Sequence, residues 1–261
     1  MGIKLFTQKK RSSAVILIKS KAIKVFFGKN RKLQFQREIT GYNQAKNCPI
    51  WSKNIVDQKQ IYNTSILASS RGKSVSRHEL ILLNKYLNEI FNKLEENADV
   101  RPTTEIINMN NLRKIVGDDC FESVNYSFGS ILESLYIPCC SQHGDIHRGN
   151  VVWVNGNLKV IDLDRFKSQG SSIFDRIHFT LSEKQRGTER RWLPFALNNL
   201  ELVGNAISDS KFKNLPLKSV LVAYCFDRIE KEGNAAMLSN YISNKYKAQA
   251  LTLIDSHLNN G

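Results

Sequence analysis

The chain has 261 residues, 41% of them hydrophobic, and a formal net charge of +14. That length buries one sizeable core or two small ones, so two lobes are allowed. No stretch approaches the roughly 18 to 20 uninterrupted apolar residues of a membrane span, and the start MGIKLFTQKKRSS lacks the apolar core of a secretion signal. Thr7 falls one place late for a myristoylation motif at Gly2, so the expected location is the cytoplasm. The five cysteines, Cys48, Cys120, Cys139, Cys140 and Cys225, contain no CxxC pair, which speaks against a zinc site or a disulfide framework and for reduced core thiols. The first acidic residue is Glu38. A positive field of this kind favours anionic partners such as nucleotides, phosphorylated sugars, anionic lipid surfaces or nucleic acid, with a merely solvated surface as the plain alternative.

In chain order, residues from Lys4 to Val25 alternate in apolar runs, and AVILIKS and AIKVFF meet at a Ser20–Lys21 turn, which predicts an antiparallel hairpin. A helix follows from Lys32 to Ala45, with Leu33, Gln36, Arg37 and Tyr42 at helical spacings, and stops near Asn47 and Pro49. Further strands are expected at Asn54 to Lys59 and Tyr62 to Ser69, then a polar connection around Gly72. His78 to Leu94 sets Leu80, Leu83, Leu87, Ile90, Phe91 and Leu94 on one helix face, and Phe121 to Leu135 repeats the pattern. Pro138 breaks the run. VVWVN and LKVIDL then flank Asn155-Gly156, a two-residue hairpin signal, and the chain reads as helices after Ser168. The expected domains are 1–70, a nucleotide-binding lobe, and 71–261, a catalytic and acceptor-binding lobe.

His143-Gly-Asp145-Ile-His-Arg-Gly-Asn150 fits H-x-D-x-x-x-x-N, and Asp162 follows at the end of an apolar strand. A hairpin between Asn150 and Asp162 would bring two oxygen ligands together on Mg2+, while Asp145 faces the hydroxyl to be phosphorylated. Upstream, Lys24 lies in the strand AIKVFF and Glu38 on the following helix. A strand lysine of this kind holds the α- and β-phosphates of ATP, and the glutamate fixes the lysine.

These motifs resemble those of the bacterial phosphotransferases that include aminoglycoside and choline kinases. HGDIHRGN and VIDLD look like that family's catalytic loop and metal strand, and SSIFDRIHF is similar to the start of its next helix, over a span from Ile18 to Leu181. The resemblance implies an α+β, protein-kinase-like two-lobed fold, with a small antiparallel N-terminal sheet lobe and a larger, mainly helical C-terminal lobe. It also implies Asp145 as catalytic base, Lys24 and Glu38 as nucleotide-binding residues, Asn150 and Asp162 as metal ligands, and Asp175 as a buried brace of the catalytic loop. IDLDR is similar, too, to the corresponding strand of lipopolysaccharide-core sugar kinases.

Where a glycine-rich loop would cover the phosphates, Gln8 to Ser13 contain no glycine. Lys9, Lys10 and Arg11 either replace backbone amides with side-chain charge or form a solvated turn. Asp164 is read as a second metal ligand or as a partner of Arg165, His143 as a holder of the loop or a catalytic assistant, and His147 and Arg148 as candidates to approach phosphate or acceptor. Lys184, Arg186, Arg190 and Arg191 form a basic cluster. The expected reaction is transfer of a phosphoryl group from ATP, with Mg2+, to a small-molecule or glycolipid hydroxyl, and the charge favours an anionic acceptor such as a lipopolysaccharide-core sugar. Peripheral contact with the inner membrane face is compatible with that charge, and no nucleic-acid-binding signature is present. The alternatives are an aminoglycoside-type or protein kinase, or a non-catalytic pseudokinase module.

Overall fold

A computed structural model describes residues 4–8, 13–61, 64–185, 192–237 and 244–258. In chain order the elements begin with β1 (Lys4–Gln8), β2 (Ser13–Ile18), β3 (Lys21–Phe26), α1 (Arg31–Asn47), α2 (Pro49–Ser52), β4 (Gln58–Gln60), β5 (Ile66–Ser70) and β6 (Lys73–Ser74). They continue with α3 (Leu80–Glu96), β7 (Asp99–Pro102), α4 (Thr103–Ile106), α5 (Met109–Val116), α6 (Asp118–Ser134), β8 (Tyr136–Gln142), β9 (Val151–Val154) and β10 (Asn157–Val160). The last are β11 (Lys167–Gly170), α7 (Ser172–Lys184), α8 (Trp192–Leu197), α9 (Leu200–Ile207), α10 (Leu217–Met237) and α11 (Asn244–Leu258). The chain divides into two compact units, Met1–Lys93 with Asp145–Ser168, and Leu94–Gly144 with Gln169–Gly261.

The first unit is built on a five-stranded antiparallel sheet ordered β1-β2-β3-β5-β4. The predicted hairpin is present, but Ile18 faces Lys21, so the turn is Lys19–Ser20 and lies one residue earlier than the sequence reading placed it. Lys19 takes φ 48°, a left-handed conformation that hydropathy patterning does not reveal. The strands expected at Asn54 to Lys59 and Tyr62 to Ser69 are shorter, β4 and β5. Ile55 instead makes an isolated parallel bridge to Val160. Helix α1 has its buried stripe at Glu38, Gly41 and Ala45. Leu33, counted on the helical pattern, is 40% exposed. What seats the helix is Phe35, whose ring meets Phe26 of β3 edge to face at 5.6 Å.

Helix α3 starts at Leu80, later than predicted, because Ser76 and Glu79 form a reciprocal capping box around the preceding turn, with the Glu79 carboxylate accepting the Ser76 N–H at 2.7 Å. Helix α6 starts earlier than predicted, at Asp118. Gly117 separates it from α5 at φ 85°, and Asp118 and Asp119 occupy its first turn, where negative charge opposes the helix dipole favourably.

In the second unit β7 and β8 pair antiparallel, with Asp99 opposite Cys139. Pro138, read as a break, lies inside β8. The helices enclose one apolar core that includes Leu112, Val124, Phe128, Ile177, Phe226 and Leu253. Buried among these helices is an ion pair, Arg176 Nε to Glu95 Oε1 at 2.8 Å, both side chains 1% exposed. All five cysteines are free, Cys120 and Cys225 buried and the other three half-buried. Among the described residues no helix is long and apolar enough to cross a membrane.

Candidate active site

The site in the first unit begins with the two-residue period of β3. Lys24 and Phe26 point to the same face of the sheet. Because Phe35 of α1 packs on Phe26, the residue nearly one turn further along the helix, Glu38, is brought over Lys24. Lys24 Nζ donates to Glu38 Oε2 at 2.9 Å, and Gln58 Nε2 of β4 donates to Glu38 Oε1 at 3.3 Å. Lys24 Nζ also reaches Asp162 Oδ1 at 2.9 Å, across 138 positions of sequence.

Asp162 is delivered by the predicted β9–β10 hairpin, whose turn residues Asn155 and Gly156 adopt φ 50° and 79°. The hairpin is closed at its base by the Ile161 N–H, which donates to the Asn150 carbonyl at 3.0 Å, so Asn150 and the Asp162 segment start from one point. Asp162 itself has φ 63°. A left-handed non-glycine residue costs on the order of 1 to 2 kcal/mol, a conformation aspartate tolerates better than most. Helix α1 presses on this segment through Gly41, where an added Cβ would lie 1.8 Å from the Leu163 carbonyl oxygen. That glycine sets how near Glu38 comes to Asp162.

The electrostatics follow from one ammonium among three carboxylates. Burial opposes the charged form of Lys24, but Asp162, Glu38 and Asp164 outweigh it, and its pKa is raised above the usual lysine range. Glu38 is also pushed up, first by burial and then by Asp162 and Asp164, with Lys24 pulling the other way. The Lys24 shift reflects its carboxylate neighbours, and the Glu38 shift reflects burial first and the other carboxylates after it. Asp164 Oδ1 is buried and has no hydrogen-bond partner. The Asn150 amide nitrogen is committed to the Asp145 carbonyl at 2.9 Å, which leaves the amide oxygen as the free end. Such oxygen donors suit a hard divalent cation. Among the described residues no group of three His, Cys, Asp or Glu forms a closed metal cage.

Asp145 is buried, and its Oδ1 lies 3.2 Å from Arg165 Nη1. Of the two roles open for Asp164 in the sequence, second metal ligand or partner of Arg165, no ion pair with Arg165 is seen among the described residues; the Arg165 guanidinium lies against Asp145. His147 closes a local turn, its Nδ1 accepting the Gly149 N–H at 3.0 Å, and Arg148 is half-buried. Within the second unit Asp175, fully buried, accepts the His143 N–H at 2.6 Å and the Gly144 N–H at 2.8 Å. Burial raises the Asp175 pKa, against the opposing pull of His143, Lys231 and those two amides. His143 is buried as well. Lys9, Lys10, Arg11, Arg186, Arg190 and Arg191 lie outside the described residues, and Lys184 is exposed. Gln58 and Gly41 were not singled out in the sequence. A glycine on the same face as Glu38, three residues on, was the available signal for the second.

No protein-family model matches the chain, and no curated protein matches it in sequence. Solved structures do match. A choline kinase from Streptococcus pneumoniae superposes with TM-score 0.60 at 11% identity, over 99% of this chain and 94% of that one. A choline/ethanolamine kinase family protein from Mesorhizobium loti gives TM-score 0.57 at 10% identity, over 99% and 92%. An ADP-bound aminoglycoside phosphotransferase gives 0.58 at 13%, over 98% and 94%. The chain has the kinase-like fold. The α+β class with an antiparallel N-terminal sheet and a mainly helical remainder is therefore as the sequence indicated, and at such identities the likeness is one of fold.

Proposed function

We propose that the chain is an ATP-dependent kinase that moves the γ-phosphoryl group to a hydroxyl of a small molecule. The observation that supports this most is the meeting of Lys24, Glu38 and Asp162 within 2.9 Å contacts, in the unit that also holds Asp145 and Asn150. In this reading Lys24, fixed by Glu38, holds the α- and β-phosphates, and residues 1–70 supply the nucleotide-binding part. Asn150 and Asp162, with Asp164 beside them, hold magnesium, which when bound would neutralise charge on the phosphates. Asp145 takes the proton of the acceptor hydroxyl as that oxygen bonds to phosphorus and the bond to ADP breaks. Asp175 accepts the N–H groups of His143 and Gly144, which precede Asp145 in the chain.

For the acceptor we propose an anionic sugar, such as a glycolipid core at the inner membrane face. The net charge of +14 supports it, as does the acid-free run before Glu38. The fold neighbours include enzymes for choline and aminoglycosides, so the test includes both. Transfer from labelled ATP is measured to lipopolysaccharide core, neutral sugars, choline and an aminoglycoside at rising ionic strength. An anionic acceptor gives turnover that falls with salt, because surface attraction is screened over about 8 Å at physiological ionic strength. Preference for choline or the aminoglycoside overturns the acceptor and keeps the kinase. Magnesium-dependent ATP binding without any transfer makes the chain a pseudokinase.

A further inference from the structure

The guanidinium of Arg165 is the feature of the site that the kinase reading leaves unused. It is 12% exposed and lies 3.2 Å from the Asp145 carboxylate. That contact is an ion pair without hydrogen-bond alignment, and both Nε and Nη1 are buried with no hydrogen-bond partner. An arginine stays charged under all ordinary conditions, and leaving its donors buried and unmatched is costly, so the arrangement calls for an anionic oxygen. A guanidinium also presents donors along two edges, which allows one edge to remain near a carboxylate while another meets a second anion.

We propose that Arg165 is a catalytic residue that binds an oxygen of the γ-phosphoryl group in the bound nucleotide and through the transfer, while its contact with Asp145 keeps the base aimed at the acceptor. The inference rests on the kinase reading. In the step, the acceptor hydroxyl passes its proton to Asp145, its oxygen bonds to phosphorus, and the bond from phosphorus to the departing ADP oxygen breaks. Protonation of Asp145 removes the negative charge facing Arg165 just as charge spreads over the phosphoryl oxygens. The guanidinium is then drawn more strongly to the phosphoryl oxygen it already contacts, with no rearrangement of the backbone. A fixed cation of this kind also offsets, at the phosphoryl end, the surplus of carboxylates around Lys24.

The test is nucleotide binding, measured calorimetrically with magnesium on the full chain, with ADP and with the non-hydrolysable analogue AMP-PNP. Loss of a charge-assisted hydrogen bond in Arg165→Gln should weaken AMP-PNP about tenfold or more and leave ADP, which has no γ-phosphoryl group, nearly unchanged. Arg165→Lys, which keeps the charge and loses the fork, should fall between Gln and wild type, and it carries the same comparison if Arg165→Gln does not fold. Equal losses for both nucleotides, or no loss for either, overturn the role. So does unchanged AMP-PNP binding with a raised KM for the acceptor. A wild-type chain that binds neither nucleotide overturns the kinase reading and this inference together, whereas wild-type binding of both with an indifferent Arg165→Gln removes this inference alone.

Discussion

In the second unit the Glu95 carboxylate is surrounded by donors: Ser172 Oγ and Arg176 Nε meet Oε1, each at 2.8 Å, and Ser210 Oγ meets Oε2 at 2.6 Å. In the first unit Glu38 and Asp162 share the ammonium of Lys24, Asp164 Oδ1 has no hydrogen-bond partner, and two nitrogens of Arg165 are without one. One cluster is closed and the other is left with donors and acceptors to spare. A buried polar group that is fully matched stabilises the fold around it, while an unmatched one is a standing cost that persists where a ligand is to supply the missing partner. The difference separates a structural charge cluster from a candidate active site without reference to any motif.

Substitutions should divide along the same line. The largest effect is expected for Asp145→Asn, which removes the proposed proton acceptor and keeps the shape. Transfer should fall by about 1,000-fold, with the unfolding midpoint in urea almost unmoved and the affinity for ATP not lowered. ATP affinity lost in step with activity would place Asp145 in nucleotide binding. In the closed cluster the expectation is inverted. Arg176→Met leaves Glu95 buried without its cation and should cost about 3 to 5 kcal/mol of stability. Adding Glu95→Gln should recover a large part, because an uncharged amide is less costly to bury. Equal stability of wild type and Arg176→Met would show that the cluster tolerates an open position, and the contrast between the two regions would fail.

Much of the candidate site was legible because the chemistry is local in sequence. The spacing from His143 to Asn150, the Asn155-Gly156 turn and the apolar strand before Asp162 each occupy a few neighbouring residues, and turn geometry fixes how they meet. Lys24 and Glu38 could be placed on a strand and on a helix, though the contact that registers them, Phe26 on Phe35, depends on packing that no periodicity encodes. Proximity in sequence could not choose between the two roles open for Asp164, because consecutive residues beyond a strand end diverge; the Arg165 guanidinium reaches Asp145, in a loop 20 positions back. Helix starts moved by two or three residues because the Ser76 and Glu79 box and the Gly117 turn, not hydrophobic spacing, decide them.

Asp175 stands between the two kinds of cluster, and the smallest predicted effect concerns it. Its oxygens are matched by the His143 and Gly144 amides, yet burial still raises its pKa above the usual carboxylate value of 3.8. A carboxyl group with a raised folded-state pKa binds its proton more tightly when folded. Its stabilising contribution is therefore complete below the unfolded value and is lost as pH rises through the folded one. The slope from one group cannot exceed about 1.4 kcal/mol per pH unit. Asp175→Asn removes that titration while Glu38 titrates alike in both proteins, so the difference in urea stability isolates it. The wild type should lose stability relative to the variant as pH rises from 3.8 through the raised value, with a flat difference at higher pH. A difference that instead favours the wild type as pH rises would mean that His143, Lys231 and the two amides outweigh burial. Asp175 would then be as closed a carboxylate as Glu95, and the His143–Gly144 segment would be held at no electrostatic cost.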